Sequence, residues 1–292
     1  YETGKHHLDF SNAYKASFFE YFQEVTDQKA AGSKSNHSIW ISALKHLRQY
    51  HKQPELTFEE VDQLFLEGFR HYLMHKARTK SGTPLSRNTQ SAYFNKLRAA
   101  LNQAEQERLL PDNPVRRVKA IQGEKNKRVY LTEDGVRALA QAECRYDVLK
   151  RAFLFSCCTG LRWSDIHQLT WAELEPFYGH YRIVFIQKKT SGLQYLDLND
   201  MAMQLMGRSG KTSERIFKGL KYSAWHNMEL TRWALQAGIT KKVTFHSARH
   251  SFAVIQLNRG VDIYALSRLL GHSELRTTEI YADILESRRR DA

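Results

Sequence analysis

The sequence predicts a mainly α-helical protein with two domains. The first is a small four-helix domain, and the second is a larger helical domain that carries a small β-hairpin or sheet. Three observations lead to this fold class: apolar residues recur at helical spacing through the first hundred residues, a basic, proline-containing stretch follows them, and one later segment is rich in β-branched and aromatic residues. The chain has 292 residues, 42% of them hydrophobic, which is enough to bury two cores.

Four amphipathic segments make up the predicted first domain, residues 1–115. The first two place apolar residues three or four positions apart, at 14–25 and at 39–47. Thr57 and Glu60 form a predicted capping box ahead of the third segment, whose apolar residues include Leu64 and Phe69. Ser86 is the predicted N-cap of the fourth, which runs to about residue 104.

Residues 116–127 are predicted to form a basic linker. The stretch 111–130 contains two prolines, one glycine and six Lys or Arg residues, a composition that suits a strap across a phosphate backbone. The predicted second domain, 128–292, begins with a helix capped by Thr132 and continues with a strongly apolar helix over 148–158. The run at 181–198, with its Ser191-Gly192 turn, predicts a hairpin, after which the pattern is helical again.

The charge of the chain favours a nucleic-acid partner. The formal net charge is +13, which indicates a polyanionic partner, although a solvated basic surface without a ligand is the alternative. No apolar run approaches the roughly 20 residues that cross a bilayer, so we expect no membrane partner. The three cysteines are Cys144, Cys157 and Cys158. Their odd, low number, with two of them adjacent, argues against a disulfide framework and suits a reducing cytoplasm. The absence of a C-x-x-C pair argues against a cysteine zinc site.

The motif TGLRWSDI places Arg162 just after a Thr-Gly break. An arginine presents a planar fork that matches two phosphate oxygens, and Asp165, three residues on, is within reach to orient it. The alternative is a surface ion pair between these two residues, worth about 0.2–0.5 kcal/mol.

A second motif, TFHSARHSFAVIQLNRG, predicts a helix from about Thr244 to Arg259. His246 and Arg249 are three residues apart and share a face, so together they suit a phosphate. A metal pair of His246 with His250 is the alternative, but Ser247 stands where the metalloprotease pattern requires a glutamate. We therefore expect no metal, and we expect His250 to be a buried helix residue.

The third motif, LLGHSELRTTEIYADI at 269–284, suggests a nucleophile. Nine residues separate His272 from Tyr281, so the two lie on opposite faces of any continuous helix. Gly271 is a predicted αL stop, and Ser273 or the pair Thr277-Thr278 is predicted to start a short helix that carries Tyr281. Tyr281 is then aimed at a DNA phosphate; the alternative is a packed tyrosine near the end of the chain.

Two further segments carry residues that suit phosphate chemistry. Lys188 and Lys189 lie at the predicted hairpin tip, which is either a solvated turn or an element that enters a DNA groove and places an ammonium beside a leaving oxygen. The segment SGKTS at 209–213 resembles the end of a nucleotide-binding loop, but Leu205 occupies the position of the required first glycine. We expect no nucleotide cofactor.

The order of these motifs resembles the tyrosine recombinase (phage integrase) family. TGLRWSDI, HSARHSF and LLGHSELRTTEIY follow the family pattern closely over 150–285. SRNTQSAYFNKLRAALNQA followed by DNPV is similar to the family's core-binding domain, with a weaker match over 10–115. The overall pattern is similar to integrases of conjugative transposons.

The resemblance implies a covalent mechanism of DNA cleavage. Tyr281 would attack the scissile phosphate, which leaves a 3′-phosphotyrosyl link and a free 5′-hydroxyl, and Arg162 and Arg249 would hold the non-bridging oxygens. His246 and His272 would hydrogen-bond the same phosphate, and His246 would help to remove the tyrosine proton. The further implied roles are protonation of the leaving 5′ oxygen by Lys189, with Lys188 as the alternative, and support of the arginines by Asp165. No metal or cofactor is needed.

The resemblance also implies how the protein binds its substrate. Its two domains would clamp double-stranded DNA, and four protomers would meet on paired sites in the bacterial cytoplasm, with accessory DNA-bending proteins as further partners. The implied DNA contacts of the first domain lie at the start of the fourth helix: Arg87, Asn88, Thr89 and Lys96. A polar helix face is the alternative for them. Many relatives carry a separate arm-binding domain and exchange a C-terminal segment; the former is not expected here, and the residues after Tyr281 make a short tail.

Two other functions are compatible with the motifs. A type IB topoisomerase shares the same catalytic residue types but relaxes DNA as a monomer, and strand exchange between two duplexes separates it from a recombinase. A DNA-binding or assembly protein on this fold would carry no catalysis, and Tyr281→Phe would then change nothing measurable. Within the recombinase interpretation, the same chemistry serves integration, excision, resolution and inversion of a mobile element.

Overall fold

The structure, a computed structural model, describes residues 16–124, 128–188, 192–272 and 274–282. The chain divides into two compact units, one up to residue 126 and the other from residue 127. No helix in the described part of the chain is both long and apolar enough to cross a membrane.

The described residues of the first unit contain four α-helices, as predicted: α1 (Phe18–Gln28), α2 (Lys34–His51), α3 (Gln63–His75) and α4 (Arg87–Gln106). Their apolar faces share one core, in which the rings of Phe18, Phe22, Phe69 and Phe94 are fully buried. The Ser86 side chain accepts a hydrogen bond from the Thr89 backbone N at 3.3 Å, so the predicted N-cap of α4 is confirmed. Tyr14, which the pattern placed in the first helix, lies outside the described residues.

The third helix begins later than the sequence predicts. Glu60 does accept hydrogen bonds from the backbone N and the hydroxyl of Thr57, at 2.7 and 2.9 Å, but residues 58–60 form a turn. The N-cap of α3 is Asp62, whose carboxylate accepts from the Phe65 backbone N at 2.7 Å. Leu64 lies in the first turn of α3 and is 77% exposed, so it is not part of the core.

The predicted linker packs in part against the first unit. A 3₁₀ turn at Pro114–Arg117 is followed by Val118 and Ile121, and both apolar side chains are buried in the core of this unit. Asn88 then exchanges two hydrogen bonds with the backbone of Glu124, donating to its O at 3.2 Å and accepting from its N at 2.9 Å. The first unit therefore extends past residue 115. The basic residues of this stretch indicated a linker, but the apolar residues between them pack into the core.

The second unit holds the remaining elements. Its described helices are α5 (Glu133–Gln141), α6 (Asp147–Thr159), α7 (Trp163–Gln168), α8 (Asp200–Met206), α9 (Ala224–Gln236), α10 (Phe245–Asn258), α11 (Ile263–Leu270) and α12 (276–282). The apolar helix α6 lies centrally and packs against α10, as its composition predicts. Thr132 caps α5 by accepting from the Gly135 backbone N at 3.2 Å, which confirms that prediction.

A three-stranded antiparallel sheet lies between α7 and α8. Its strands β1 (Leu174–Phe177), β2 (His180–Ile186) and β3 (Leu193–Leu198) pair in sequence order. The predicted hairpin corresponds to β2 and β3, with Ile183 opposite Leu196 and both side chains buried. Strand β1 was not predicted, because its four residues LEPF contain a proline and show no alternation.

Candidate active site

The break between α6 and α7 places Arg162 at the entrance to the site. Gly160 ends α6 with φ of +71°, and a Cβ at this position would lie 2.6 Å from the ring of Phe252. The chain then turns, and α7 begins with Arg162 as its N-cap residue. Glycine is required here both for the left-handed turn and for the close approach of α10, so the predicted role of the Thr-Gly break is confirmed.

Arg162 is held by a glutamine more closely than by the predicted aspartate. Its Nη1 donates to Gln187 Oε1 at 3.0 Å, whereas the nearest oxygen of Asp165 lies 4.0 Å away. The buried Asp165 carboxylate instead accepts from the backbone N of Lys188 at 3.1 Å. Asp165 therefore anchors the end of β2 beside Arg162 and contributes a negative charge, rather than orienting the guanidinium by a direct hydrogen bond.

Arg249 lies inside the unit, on α10. It is 1% exposed and donates from Nη1 to Gly160 O at 2.7 Å and from Nη2 to Leu270 O at 2.6 Å. Burial and the nearby charge of Arg162 lower the pKa of Arg249 to about 10, so it remains a cation at neutral pH. Two guanidinium groups thus share one partly dry region, which favours an anion with several acceptor oxygens.

Gln187 joins the end of β2 to Arg162 and to the end of α11. The side chain is 1% exposed, and besides accepting from Arg162 it donates from Nε2 to Leu270 O at 3.3 Å, the same carbonyl that Arg249 uses. A Cβ on Gly271 would clash with the Gln187 carboxamide. The αL turn at Gly271, with φ of +59°, and the approach of Gln187 together account for glycine at this position.

The break between α11 and α12 separates His272 from Tyr281, as predicted. Gly271 ends α11 in the αL region, and α12 follows at 276–282. Ser273 lies outside the described residues. Thr278 does not start the helix; it is a buried residue within α12, and its hydroxyl contacts His272 Nδ1 at 2.7 Å. This hydrogen bond fixes the orientation of the His272 ring.

Tyr281 is both packed and close to the two arginines. It is 2% exposed, and its hydroxyl lies 2.8 Å from Nδ1 of His250. The guanidinium of Arg128 lies over its ring at 6.0 Å from the centroid. Burial raises the pKa of Tyr281, while the positive charges of Arg249, Arg128 and Arg162 oppose that rise. The two interpretations of this tyrosine are therefore compatible: it is a buried residue within the electrostatic reach of both candidate phosphate ligands.

The two histidines of α10 differ in environment. His246 is exposed near the start of the helix, and its ring centroid lies 4.5 Å from that of His250. His250 is buried, which confirms the prediction made for it. Desolvation, followed by the charges of His246, Arg128 and Arg249, lowers the pKa of His250 to about 3, so this imidazole is neutral.

Two family models match the chain, and together they cover most of it. The Phage integrase SAM-like domain matches residues 17–121, and the Phage integrase family matches residues 129–288. The chain belongs to the phage integrase family. It is a site-specific tyrosine recombinase, an enzyme that cleaves and rejoins DNA by transesterification, as predicted. The topoisomerase and non-catalytic alternatives are not favoured.

Similar proteins include recombinases from several bacteria. Tyrosine recombinase XerD of Shewanella oneidensis is 27% identical over 276 residues, covering 86% of each chain. Tyrosine recombinase XerC of Pelotomaculum thermopropionicum is 28% identical over 242 residues, covering 75% of this chain and 77% of the relative.

Solved structures share the fold of this recombinase. A lambda integrase dimer bound to a COC′ core site superposes with a TM-score of 0.71 at 17% identity, covering 91% of this chain and 95% of the integrase. The Tn1549 transposon integrase in complex with circular intermediate DNA gives 0.70 at 17% identity, with 91% and 94% covered.

The hairpin lysines of the recombinase are described only in part. Lys188 is exposed, and its backbone N is fixed by Asp165. Lys189, predicted as the proton donor to the leaving oxygen, lies outside the described residues. Among the described residues, no group of three or more His, Cys, Asp or Glu side chains is placed to hold a metal ion.

The residues predicted to contact DNA from α4 mostly have partners within the first unit. Arg87 Nε donates to Gln122 O at 3.1 Å, and Asn88 binds the backbone of residue 124. Lys96 donates to Asn36 Oδ1 at 2.6 Å. Its ammonium also lies 5.2 Å from the centroid of the Trp40 ring, and burial lowers its pKa. The Thr89 hydroxyl contacts the hydroxyl of its N-cap serine at 2.8 Å.

Two features of the site were not predicted from the sequence: the role of Gln187, and the contact of His250 with Tyr281. Gln187 did carry a signal. It continues the alternation of Ile183 and Phe185, which face the core, so a polar side chain follows two buried positions on one face of the strand. A polar residue at such a position requires hydrogen-bond partners. For His250 the sequence indicated burial but carried no sign of its partner.

Proposed function

We propose that this recombinase cleaves a DNA strand with Tyr281 and holds it through a 3′-phosphotyrosyl bond, releasing a free 5′-hydroxyl. The observation that carries the proposal is the position of the Tyr281 hydroxyl, which lies in the field of both Arg162 and Arg249. A tyrosine ester of the phosphate conserves the energy of the broken bond. Rejoining by attack of a 5′-hydroxyl on that ester needs neither metal nor nucleotide.

The two arginines are proposed to bind the non-bridging oxygens of the scissile phosphate. Negative charge on these oxygens grows as the Tyr281 oxygen approaches phosphorus, so cations already in place stabilise the transition state most. The carbonyls of Gly160 and Leu270 hold Arg249, and Gln187 holds Arg162. Arg249 and Tyr281 are nearly fully buried in the chain on its own, so a phosphate reaches them only after a local opening of the site.

The remaining roles follow the arrangement around this pair. His246 and His272 are proposed to hydrogen-bond the phosphate, with the His272 ring oriented by Thr278. His246 is also proposed to help take up the Tyr281 proton as the bond to phosphorus forms. Lys189 is proposed to protonate the leaving 5′ oxygen, with Lys188 as the alternative. Asp165 supports this placement because it fixes the residue at the end of β2, next to Arg162.

The substrate is proposed to be double-stranded DNA, with the first unit as a core-binding domain and the second as the catalytic domain. A lambda integrase tetramer bound to a Holliday junction shares this fold, with a TM-score of 0.69. We propose the same assembly here: four protomers on paired sites, in the bacterial cytoplasm, assisted by DNA-bending proteins. The fold shared with the Tn1549 transposon integrase favours a mobile element as the DNA that is moved or resolved.

The test uses nicked duplexes from the DNA that flanks the gene. Wild type and Tyr281→Phe are incubated with them and resolved on a denaturing gel, with Tyr264→Phe as the matched control because Tyr264 is exposed on α11. We expect a protein–DNA adduct with wild type and the control, and none with Tyr281→Phe. Strand exchange between two duplexes then separates recombination from relaxation of DNA. An adduct with all three proteins would contradict the assignment of the nucleophile.

A further inference from the structure

The Tyr281 hydroxyl has a partner that none of the proposed roles uses. His250 Nδ1 lies 2.8 Å from it, and the two aromatic rings are 5.6 Å apart between centroids. Both residues are buried, at 7% and 2% exposure. A hydrogen bond between these two groups fixes the direction of the hydroxyl. The nucleophile proposed above is thus already oriented by one side chain.

The chemistry of the pair indicates which atom donates. A phenol O–H is a good donor, and an unprotonated imidazole nitrogen is a good acceptor. Three arginines, at 128, 162 and 249, act on Tyr281 through their positive charges, and they favour an arrangement in which its oxygen lone pairs face them. The hydrogen atom then points away from the arginines and toward His250.

The surroundings of His250 keep it an acceptor. Desolvation together with the charges of His246, Arg128 and Arg249 lowers its pKa to about 3. At neutral pH this ring is therefore uncharged. The position of His250 is coupled to that of Arg249, a proposed phosphate ligand, because the two are consecutive residues of α10. A displacement of this helix turn therefore moves Arg249 and His250 together.

We propose that His250 is a positioning residue for the nucleophile. By accepting the Tyr281 O–H, it directs the lone pairs of the phenol oxygen toward the two arginines, where the scissile phosphate would be bound. This inference rests on the proposed function of Tyr281. It assigns to His250 the orientation of the hydroxyl, a role separate from the phosphate contact proposed for His246.

Two substitutions separate orientation from packing. His250→Leu fills the buried space with an apolar side chain and removes the acceptor. His250→Asn is smaller but keeps an acceptor, because its carboxamide oxygen lies about as far along the side chain as Nδ1. If His250 only fills space, the leucine variant should be the more active one. If it positions Tyr281, the asparagine variant should be.

The kinetic experiment measures DNA affinity and the rate of adduct formation at saturating nicked DNA. We expect His250→Leu to slow adduct formation about 10-fold or more with little change in affinity, and His250→Asn to recover most of the rate. An unchanged or faster rate with His250→Leu would overturn the inference. Absence of an adduct with wild type would instead overturn the proposed function, so the two failures are distinguishable.

A second measurement needs neither DNA nor a histidine variant. The Nδ1 resonance of His250 is recorded by ¹⁵N NMR in wild type and in Tyr281→Phe, which removes only the hydroxyl. We expect a clear shift of that resonance in Tyr281→Phe and none in Tyr264→Phe. If the His250 resonance is the same in all three proteins, the hydrogen bond is absent in solution and the inference fails, even if the His250 variants do not fold.

Discussion

Substitution of Gln187 by leucine tests the network that holds the two arginines. Gln187→Leu keeps a buried side chain of similar size but removes the acceptor for Arg162 Nη1 and the donor to Leu270 O. A lost hydrogen bond to a charged group costs about 1.5–3 kcal/mol, and a lost neutral one about 0.5–1.5 kcal/mol. The expected loss in free energy of unfolding is therefore about 2–4 kcal/mol.

Both stability and chemistry should respond. For a unit of this size, about 2–4 kcal/mol corresponds to a fall in Tm of roughly 5–15 °C. Arg162 also loses the contact that fixes its guanidinium, and a misplacement of about 1 Å at a reacting group costs up to about 100-fold in rate. We expect adduct formation at saturating DNA to slow by about 10- to 100-fold, while DNA affinity changes little.

The assays are thermal unfolding and single-turnover adduct formation on nicked DNA. Gln204→Leu is the matched control, because it makes the same chemical change at an exposed position on α8. Its Tm and adduct rate should stay close to those of wild type. If Gln187→Leu behaved like this control in both assays, Gln187 would not hold Arg162 and the description of the network would be refuted.

Three further predictions concern the turn after α11, His250 and α4. Gly271→Ala should lower the free energy of unfolding by about 3 kcal/mol or more, because its Cβ would clash with Gln187. Gly238→Ala is the control, with a similar φ but nothing within 4 Å of the added Cβ, and should cost only about 1 kcal/mol. Equal losses of the two variants in denaturant titrations would exclude the contact with Gln187. Below pH 6.5, His250 binds a proton in the unfolded chain, whereas in the folded protein its pKa is about 3. The free energy of unfolding should therefore decrease, through this residue, by up to about 1.4 kcal/mol for each unit that the pH falls. An equally steep decrease of the free energy of unfolding with pH in His250→Leu would contradict this. Lys96→Met removes the contacts with Trp40 and Asn36, so it should change the fluorescence of Trp40 and lower the free energy of unfolding by about 1 kcal/mol. A loss of DNA affinity with unchanged fluorescence and unchanged stability would instead support a direct DNA contact of Lys96.

Much of the fold follows from signals that act over a few residues. Ser86 and Thr132 cap helices because a hydroxyl reaches a backbone N–H three positions on, and Gly271 ends a helix because it enters the αL region without strain. The start of α3 shows where such signals compete. Thr57 and Glu60 do form a hydrogen bond, but Asp62 is the N-cap of the helix. The sequence alone does not show which of the two capping signals marks the start of the helix.

The site was predictable in its residue types but not in its internal contacts. The motifs located Arg162, Arg249 and Tyr281, because their chemistry suits a phosphate. The side chains that hold them are supplied from far along the chain: Gln187 lies 83 residues before its partner Leu270, and His250 lies 31 residues before Tyr281. Pairings over such separations depend on how helices and strands pack, which local patterns do not encode.

The most direct test of the account is to locate the DNA–protein bond. The adduct from wild type and nicked DNA is digested with protease and nuclease, and the peptide that carries the nucleotide is sequenced by mass spectrometry. We predict a nucleotide joined through its 3′-phosphate to the oxygen of Tyr281, with a free 5′-hydroxyl on the released strand. A nucleotide on any other residue, or a 5′-phosphate on the released strand, would contradict the mechanism.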